Sequence, residues 1–149
     1  MQFDPQAILD ATFNEANSTE LIPVPEGEYQ AVAGEVETAT WQGVKDPSKS
    51  GIKLIVPWEI LDEGVKTHTK RQKIVIRQDI MLDLTPSGTL DMGEGQNIRL
   101  GQLRAAVGLN TKGQAFSPRM ISGKMARVKV GVREHEGRKF EEVRAVAKM

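Results

Sequence analysis

The stretch Ile52-Lys53-Leu54-Ile55-Val56-Pro57-Trp58-Glu59-Ile60-Leu61 decides the fold class. Ile52, Leu54, Val56, Trp58 and Ile60 fall on one side of a period-two repeat, with Lys53, Ile55, Pro57, Glu59 and Leu61 on the other. Alternate residues share a face when the chain is extended, so this is a strand with one apolar face. Pro57 brings no N–H to a ladder and belongs at an edge or a bulge. Upstream lies a loop rich in Gly, Pro, Ser, Lys and Asp, about residues 42–51. Before it, a strand of about residues 29–40 carries Val32 and Val36 on one face, and Gly34 inside it signals a bulge or sharp bend. The turn Pro23-Val24-Pro25-Glu26-Gly27 precedes that strand.

Downstream, Asp62-Glu63-Gly64 reads as a turn. A third strand of about residues 73–83 directs Ile74, Ile76, Ile80 and Leu82 inward and Lys73, Arg77, Asp79 and Asp83 outward. Pro86-Ser87-Gly88 ends it. Ile98, Leu100, Leu103, Ala106 and Val107 recur at helical spacing over about three turns, and Gly108 caps that helix. A fourth strand alternates strictly: Ala126, Val128, Val130 and Val132 against Arg127, Lys129, Gly131 and Arg133. His135-Glu136-Gly137-Arg138 is a hairpin loop, and a fifth strand of about residues 139–147 has Phe140 and Val143 as its larger apolar groups. At the other end, Asp4-Pro5 opens a short helix of about residues 5–16, with Ile8, Leu9, Phe13 and Ala16 on one face. Residues 17–20 form a polar linker.

Three strands, a helix and a two-strand hairpin follow the order of an OB-type barrel. The fold expected is therefore mainly β: a five-stranded OB-type barrel with a helix between strands three and four, plus the N-terminal helix. Another small barrel or a split sandwich has the same ingredients. Residues 1–20 form an acidic arm and residues 21–149 the barrel domain.

The 149 residues fit one domain with a real core. No cysteine is present, so disulfides and thiolate metal sites are out. No apolar run is long enough to cross a membrane as a helix. Met1-Gln2-Phe3-Asp4 lacks the basic and apolar regions of a signal peptide, so the expected location is the cytoplasm, and Asn17-Ser18-Thr19 is a chance sequon. The formal net charge of zero conceals a segregation. Residues 1–44 contain no Lys or Arg and eight acids, whereas residues 45–149 carry all 20 basic residues against 12 acids. An acidic arm thus precedes a basic body whose local field can attract phosphate.

Catalytic constellations are missing from the pattern. Gly43 to Lys49-Ser50 has the wrong spacing for a phosphate-binding loop, and a strand follows it instead of a helix. Gly93-Glu94-Gly95 lacks the third small residue and the βαβ setting of a dinucleotide site. His68 and His135 have no ligand-spaced partners. Glu141 and Glu142 are strand neighbours on opposite faces, Asp62-Glu63 sits in a turn, and no serine has a triad arrangement. The chain reads as non-enzymatic, with no cofactor and no metal.

Single-strand binding needs a basic groove and aromatic faces for bases. Lys45 and Lys49 sit on the first loop, Lys53, Lys73 and Arg77 on the outward face of strands two and three, and Lys70 and Arg71 just before strand three. Arg127 and Lys129, with Arg133, line strand four, and Arg138 adjoins the last hairpin. In an OB-fold, the strand-two and strand-three face and the two hairpin loops bind oligonucleotides. The plainer reading of any one of these residues is solvation of an outer strand face. Aromatic residues are few. Trp41 beside the basic loop is the stacking candidate, Trp58 and Phe140 are expected in the core, and Tyr29 is expected at the surface.

Five segments carry a family resemblance: Pro25-Glu26-Gly27-Glu28-Tyr29, Ser50-Gly51-Ile52-Lys53-Leu54, the run from Arg99 to Leu109, Gly123 to Val130, and Gly137 to Val143. In this order, over about residues 21–147, they resemble a family of phage-encoded proteins first catalogued as a domain of unknown function and similar to phage single-stranded-DNA-binding proteins. The resemblance implies an OB-fold, no cofactor, and sequence-tolerant binding of single-stranded DNA in phage replication or recombination, in the host bacterial cytosol. Replication or recombination proteins and a second copy of the chain are the further partners it admits. Many single-strand binders end in an acidic tail. This chain ends Arg144-Ala145-Val146-Ala147-Lys148-Met149 and has its acids at the other end, which puts C-terminal recruitment in doubt. The competing expectation is a non-enzymatic protein-interaction or structural phage module, such as a virion component or a host-factor inhibitor. On that reading the acidic arm docks a basic partner, masks the basic body, or packs on a second subunit through Ile8, Leu9 and Phe13.

Overall fold

The computed structural model describes residues 2–149. The elements in order are α1 (Pro5–Asp10), β1 (Gly27–Ala33), β2 (Glu37–Gln42), β3 (Ser50–Ile60), α2 (Glu63–Thr69), β4 (Val75–Met81), α3 (Ile98–Ala106), a 3₁₀ turn (Pro118–Ile121), β5 (Met125–His135) and β6 (Arg138–Ala147). The six strands form one antiparallel sheet, ordered β2-β3-β1-β5-β6, with β4 on the other side of β3.

The expected first strand is two strands. Ala33 opposes Trp58, yet Glu37 opposes Ile55, so three residues of the bent strand face two of β3. That extra residue is a bulge, and it reverses which side faces in. Ala31 and Ala33 are buried before it and Val36 after it, while Val32 points outward beside Glu59. The shared face expected for Val32 and Val36 therefore does not exist. Gly34 makes the bend: its N–H donates to the Pro57 carbonyl at 2.7 Å, and a Cβ there would lie 3.2 Å from the proline ring. Pro57 is thus at a bulge, as its chemistry requires, but in a central strand: its missing N–H faces the break between β1 and β2.

The sheet is not closed into a barrel, because β4 and β6 share no ladder. Residues 21–25 lie over the opening as a strap. Val24 is fully buried and donates its N–H to Glu141 Oε2 at 2.6 Å. Arg71 reaches Glu141 with both terminal nitrogens and also donates to the Ile22 carbonyl at 3.1 Å. Side chains thus seal a seam for which a five-stranded barrel would use backbone.

The core lies inside the curl, from Leu54, Val56, Trp58 and Ile60 of β3 and Ile74, Ile76 and Ile80 around β4 to Val128 and Val130 of β5. Trp58 is fully buried, as its register predicts, and its indole N–H donates to Gln78 Oε1 at 2.9 Å, so neither polar group is left unpaired. Leu100 and Leu103 pack α3 onto this core, and Ala106 is buried on the same helix. Asn97 at its start has φ 51° and is locked to Asp83 by three hydrogen bonds of 2.8 Å. Gly108, φ 75°, follows the helix as expected.

Helix α2 replaces the expected turn. Asp62 accepts from the Val65 N–H at 2.9 Å, and Val65 and Thr69 are buried. A single apolar residue among polar ones gives no visible period, so tertiary packing stabilises this helix of about two turns. The N-terminal helix is shorter than expected and stops at Asp10. Asp4 caps it through the Gln6 N–H at 3.0 Å, but Ile8, Leu9 and Phe13 are 67–75 % exposed and have nothing to pack against.

Candidate nucleic-acid interface

The outer face of β2, β3 and β4 gathers the central sequence candidates. Register places Trp41 opposite Gly51, Ala39 opposite Lys53, and Lys53 opposite Met81. The Trp41 ring lies on Gly51 so closely that a Cβ there would come within 2.9 Å of Nε1. Glycine at this position lets an aromatic ring cover the strand, and Trp41 stays partly exposed. The Trp41 indole N–H has no hydrogen-bond partner.

Beside the tryptophan, the β2–β3 loop is built to hold a shape. Gly43 N–H donates to the Lys49 carbonyl at 2.7 Å, Lys49 N–H to the Asp46 carbonyl at 3.0 Å, and Gln42 Nε2 to the Pro47 carbonyl at 2.8 Å. A Cβ at Gly43 would collide with the Asp46 carbonyl oxygen. Lys45 and Lys49 project from this loop into solvent, with Val44 fully out between loop and water.

The next cations along the face are not free. Lys53 Nζ lies 3.0 Å from Asp79 Oδ2, and Arg77 grips the same carboxylate through Nε at 2.7 Å and Nη2 at 3.0 Å. The Arg77 hydrogen bonds, helped by Lys53 and opposed by burial, hold Asp79 below the usual carboxylate pKa. One carboxylate thus neutralises half of the two-cation pair. The reading of Lys53 and Arg77 as solvated cations needs that amendment.

Arg71 leaves the candidate set by geometry. Its side chain is largely buried in the seam pair with Glu141. Burial alone would raise the Glu141 pKa, but the Arg71 hydrogen bonds and the Val24 N–H bring the net value below the ordinary one. Lys70 takes the left-handed position that ends α2, at φ 58°, and is exposed. Lys73 is exposed ahead of β4. Arg127 and Lys129 lie on the outer face of β5, across β1 from the first group. There Glu28 opposes Lys129 and stands 3.9 Å from Arg127. Glu28, Gln30, Val32 and Glu59 separate the two groups, so the cations do not make one continuous stripe. Arg133 is 3.9 Å from Glu142, and Arg138 begins β6 after the hairpin turn. Lys45, Lys49, Lys70, Lys73, Lys129 and Arg138 form no ion pair among the described residues.

Two aromatic expectations reverse. Tyr29 packs against the core and donates its hydroxyl to the Pro25 carbonyl at 2.6 Å, and burial, then Asp62, raises its pKa. Phe140 is 41 % exposed, with the Arg133 guanidinium 5.6 Å from its ring centre. The signal for Phe140 was present in the sequence. A two-residue turn at Glu136-Gly137 pairs residue 140 with Arg133, an outward position of β5. A hollow of about 560 Å³ opens beside the Gly34 bend between Glu35, Glu37, Leu54, Ser117 and Arg119. None of the residues expected to bind nucleic acid lines it.

A family model matches residues 11–149. The chain belongs to the family described as Protein of unknown function (DUF669). The DUF669 match takes in the whole sheet, α2, α3 and the second half of the arm with Phe13, and leaves α1 outside. No curated protein matches the chain. DUF669 membership carries no activity with it, so function has to come from the site. Among the described residues no helix is long and apolar enough to cross a membrane.

Proposed function

We propose that this chain binds single-stranded DNA, with little sequence preference, along the outer face of β2, β3 and β4. The observation that carries the reading is the Trp41 ring packed against Gly51, with the unpaired Lys45 and Lys49 at one end and Lys53, paired with Asp79, at the other. A planar face for a base between ammonium groups for phosphates is what sequence-tolerant recognition of a single strand requires. An OB-like strand order supports it: the bent first strand pairs with both β3 and β5, and α3 lies between the third and fourth expected strands. Service in phage DNA replication or recombination, in a bacterial cytosol, is the setting this reading carries.

The test is fluorescence anisotropy of a labelled oligo-dT across salt, beside a duplex control. Affinity should fall with a log–log slope of about −0.7 per phosphate neutralised, and Trp41→Ala should weaken it by about 1–3 kcal/mol. Folded protein that binds no oligo-dT at low salt sinks the proposal.

A second reading rests on the arm. Phe3, Ile8, Leu9 and Phe13 are all more than 65 % exposed on a segment without a basic residue. A protein-interaction or structural module would use such a segment to dock a partner. A pull-down with the arm as bait, compared with Ile8→Ser/Phe13→Ser, tests it directly.

A further inference from the structure

The seam between β4 and β6 carries a feature that the single-strand reading above does not use. A hollow of about 170 Å³ opens there, rimmed by Leu21 and Pro23 of the strap, Val75 and Arg77 of β4, and Lys139 and Phe140 of β6. Phe140 is exposed beyond what a core residue would be, and Val75 is 46 % exposed beside it. One side of the Phe140 ring is taken by the Arg133 guanidinium, its cross-strand partner, while the residue also lines the hollow. Lys139 forms no ion pair among the described residues. Glu141 also lines the hollow, but both its oxygens are engaged by Arg71 and the Val24 N–H, so its charge is compensated inside the seam. What faces the solvent is an aromatic ring between the unpaired Lys139 and Arg77, whose charge is shared with Asp79.

Arg77 belongs to both places. It holds Asp79 on the β3–β4 face and lines the seam hollow. From Gly51, under Trp41, to Pro57, opposite Arg77, β3 runs six residues, about 20 Å at the usual strand rise. We propose that the seam is a second base-stacking position, with Phe140 as its platform and Arg77 and Lys139 as its phosphate partners. It would hold a base several nucleotides from the one on Trp41 of the same strand. The inference rests on the single-strand reading and extends it: the strand runs from the β2–β3 loop across β3 and β4 to the β4–β6 seam. A path of this length fits the usual range of about 4–16 nucleotides per module of this kind.

The test uses the full chain and oligo-dT of graded length. Phe140→Ala should weaken binding of long oligo-dT by about 5- to 100-fold and leave the shortest binding oligomer unaffected. Because Phe140 is exposed, the variant should keep the wild-type melting profile. Phe140→Trp in a Trp41→Phe background places a reporter in the seam, and its fluorescence should be quenched as oligo-dT binds. If wild type binds oligo-dT while Phe140→Ala matches it at every length and the reporter is silent, the seam proposal is overturned and the single-strand reading stands. If wild type binds no oligo-dT, both fall together. Should the reporter respond to a peptide of residues 4–20 and not to oligo-dT, the seam is a peptide site and the proposal is wrong.

Discussion

Two arginines six residues apart show how the same chemistry serves different ends. Arg71 and Arg77 each grip one carboxylate with two nitrogens. Arg71 and Glu141 are side chains only 20 % and 12 % exposed, in a seam that no backbone ladder closes. Arg77 is more than half exposed, on an open face, and shares Asp79 with Lys53. A buried pair is costly to break from one side, because the survivor is left charged and dry; here the Arg71 Nε–H is itself buried without a partner. An exposed pair is screened by water and contributes little stability. The seam pair is therefore part of the architecture. The surface pair sets how much positive charge the face presents.

That contrast breaks most visibly at the seam. Arg71→Ala or Glu141→Gln should each lower stability by about 2–4 kcal/mol, read as a shift in urea midpoint at pH 7. Unchanged midpoints would mean that the strap alone seals the sheet. Acid sharpens the same point. Both Glu141 and Asp79 have pKa values lowered in the folded chain. Their stabilisation is thus present above the unfolded value of about 4 and is lost as pH falls through the lower folded value. Denaturation midpoints taken from pH 7 down to pH 3 should fall steeply below about pH 4 in wild type. The fall should be shallower in Glu141→Gln, and nearly as steep as wild type in Asp79→Asn.

On the open face the effect moves from stability to binding. Asp79→Asn should change stability by less than about 1 kcal/mol. It releases Lys53 and Arg77, so oligo-dT affinity should rise and the salt slope steepen by about 0.7 for each additional phosphate neutralised. An unchanged slope would place the strand elsewhere on the molecule. The smallest effect belongs to the arm. Deleting residues 2–20 removes no buried residue, so the urea midpoint should move by less than about 0.5 kcal/mol in equivalent stability. A larger loss would show that the arm packs on the body, or on a second copy, in solution.

Local pattern decided a good deal of this molecule by itself. The alternation of residues 52–61 and 126–133, the helix ending at Gly108 and the Glu136-Gly137 turn each rest on a period or a turn chemistry carried by neighbouring residues. The register that puts Trp41 near Lys53 follows from the hairpin those strands make. Only the tertiary structure decided the rest. It set the bulge that turns Val32 outward and Val36 inward, and the helix α2 that buries Val65 and Thr69. It put Arg71 into the seam, and it made Asp79 a shared counter-ion for Lys53 and Arg77. Apart from the Arg77–Asp79 contact, two residues apart on one strand, each depends on a contact between residues distant in sequence or on a one-residue register shift, and neither leaves a period in the chain. Charge type can be read from a sequence, but whether a charge is free or spent depends on what folding brings beside it.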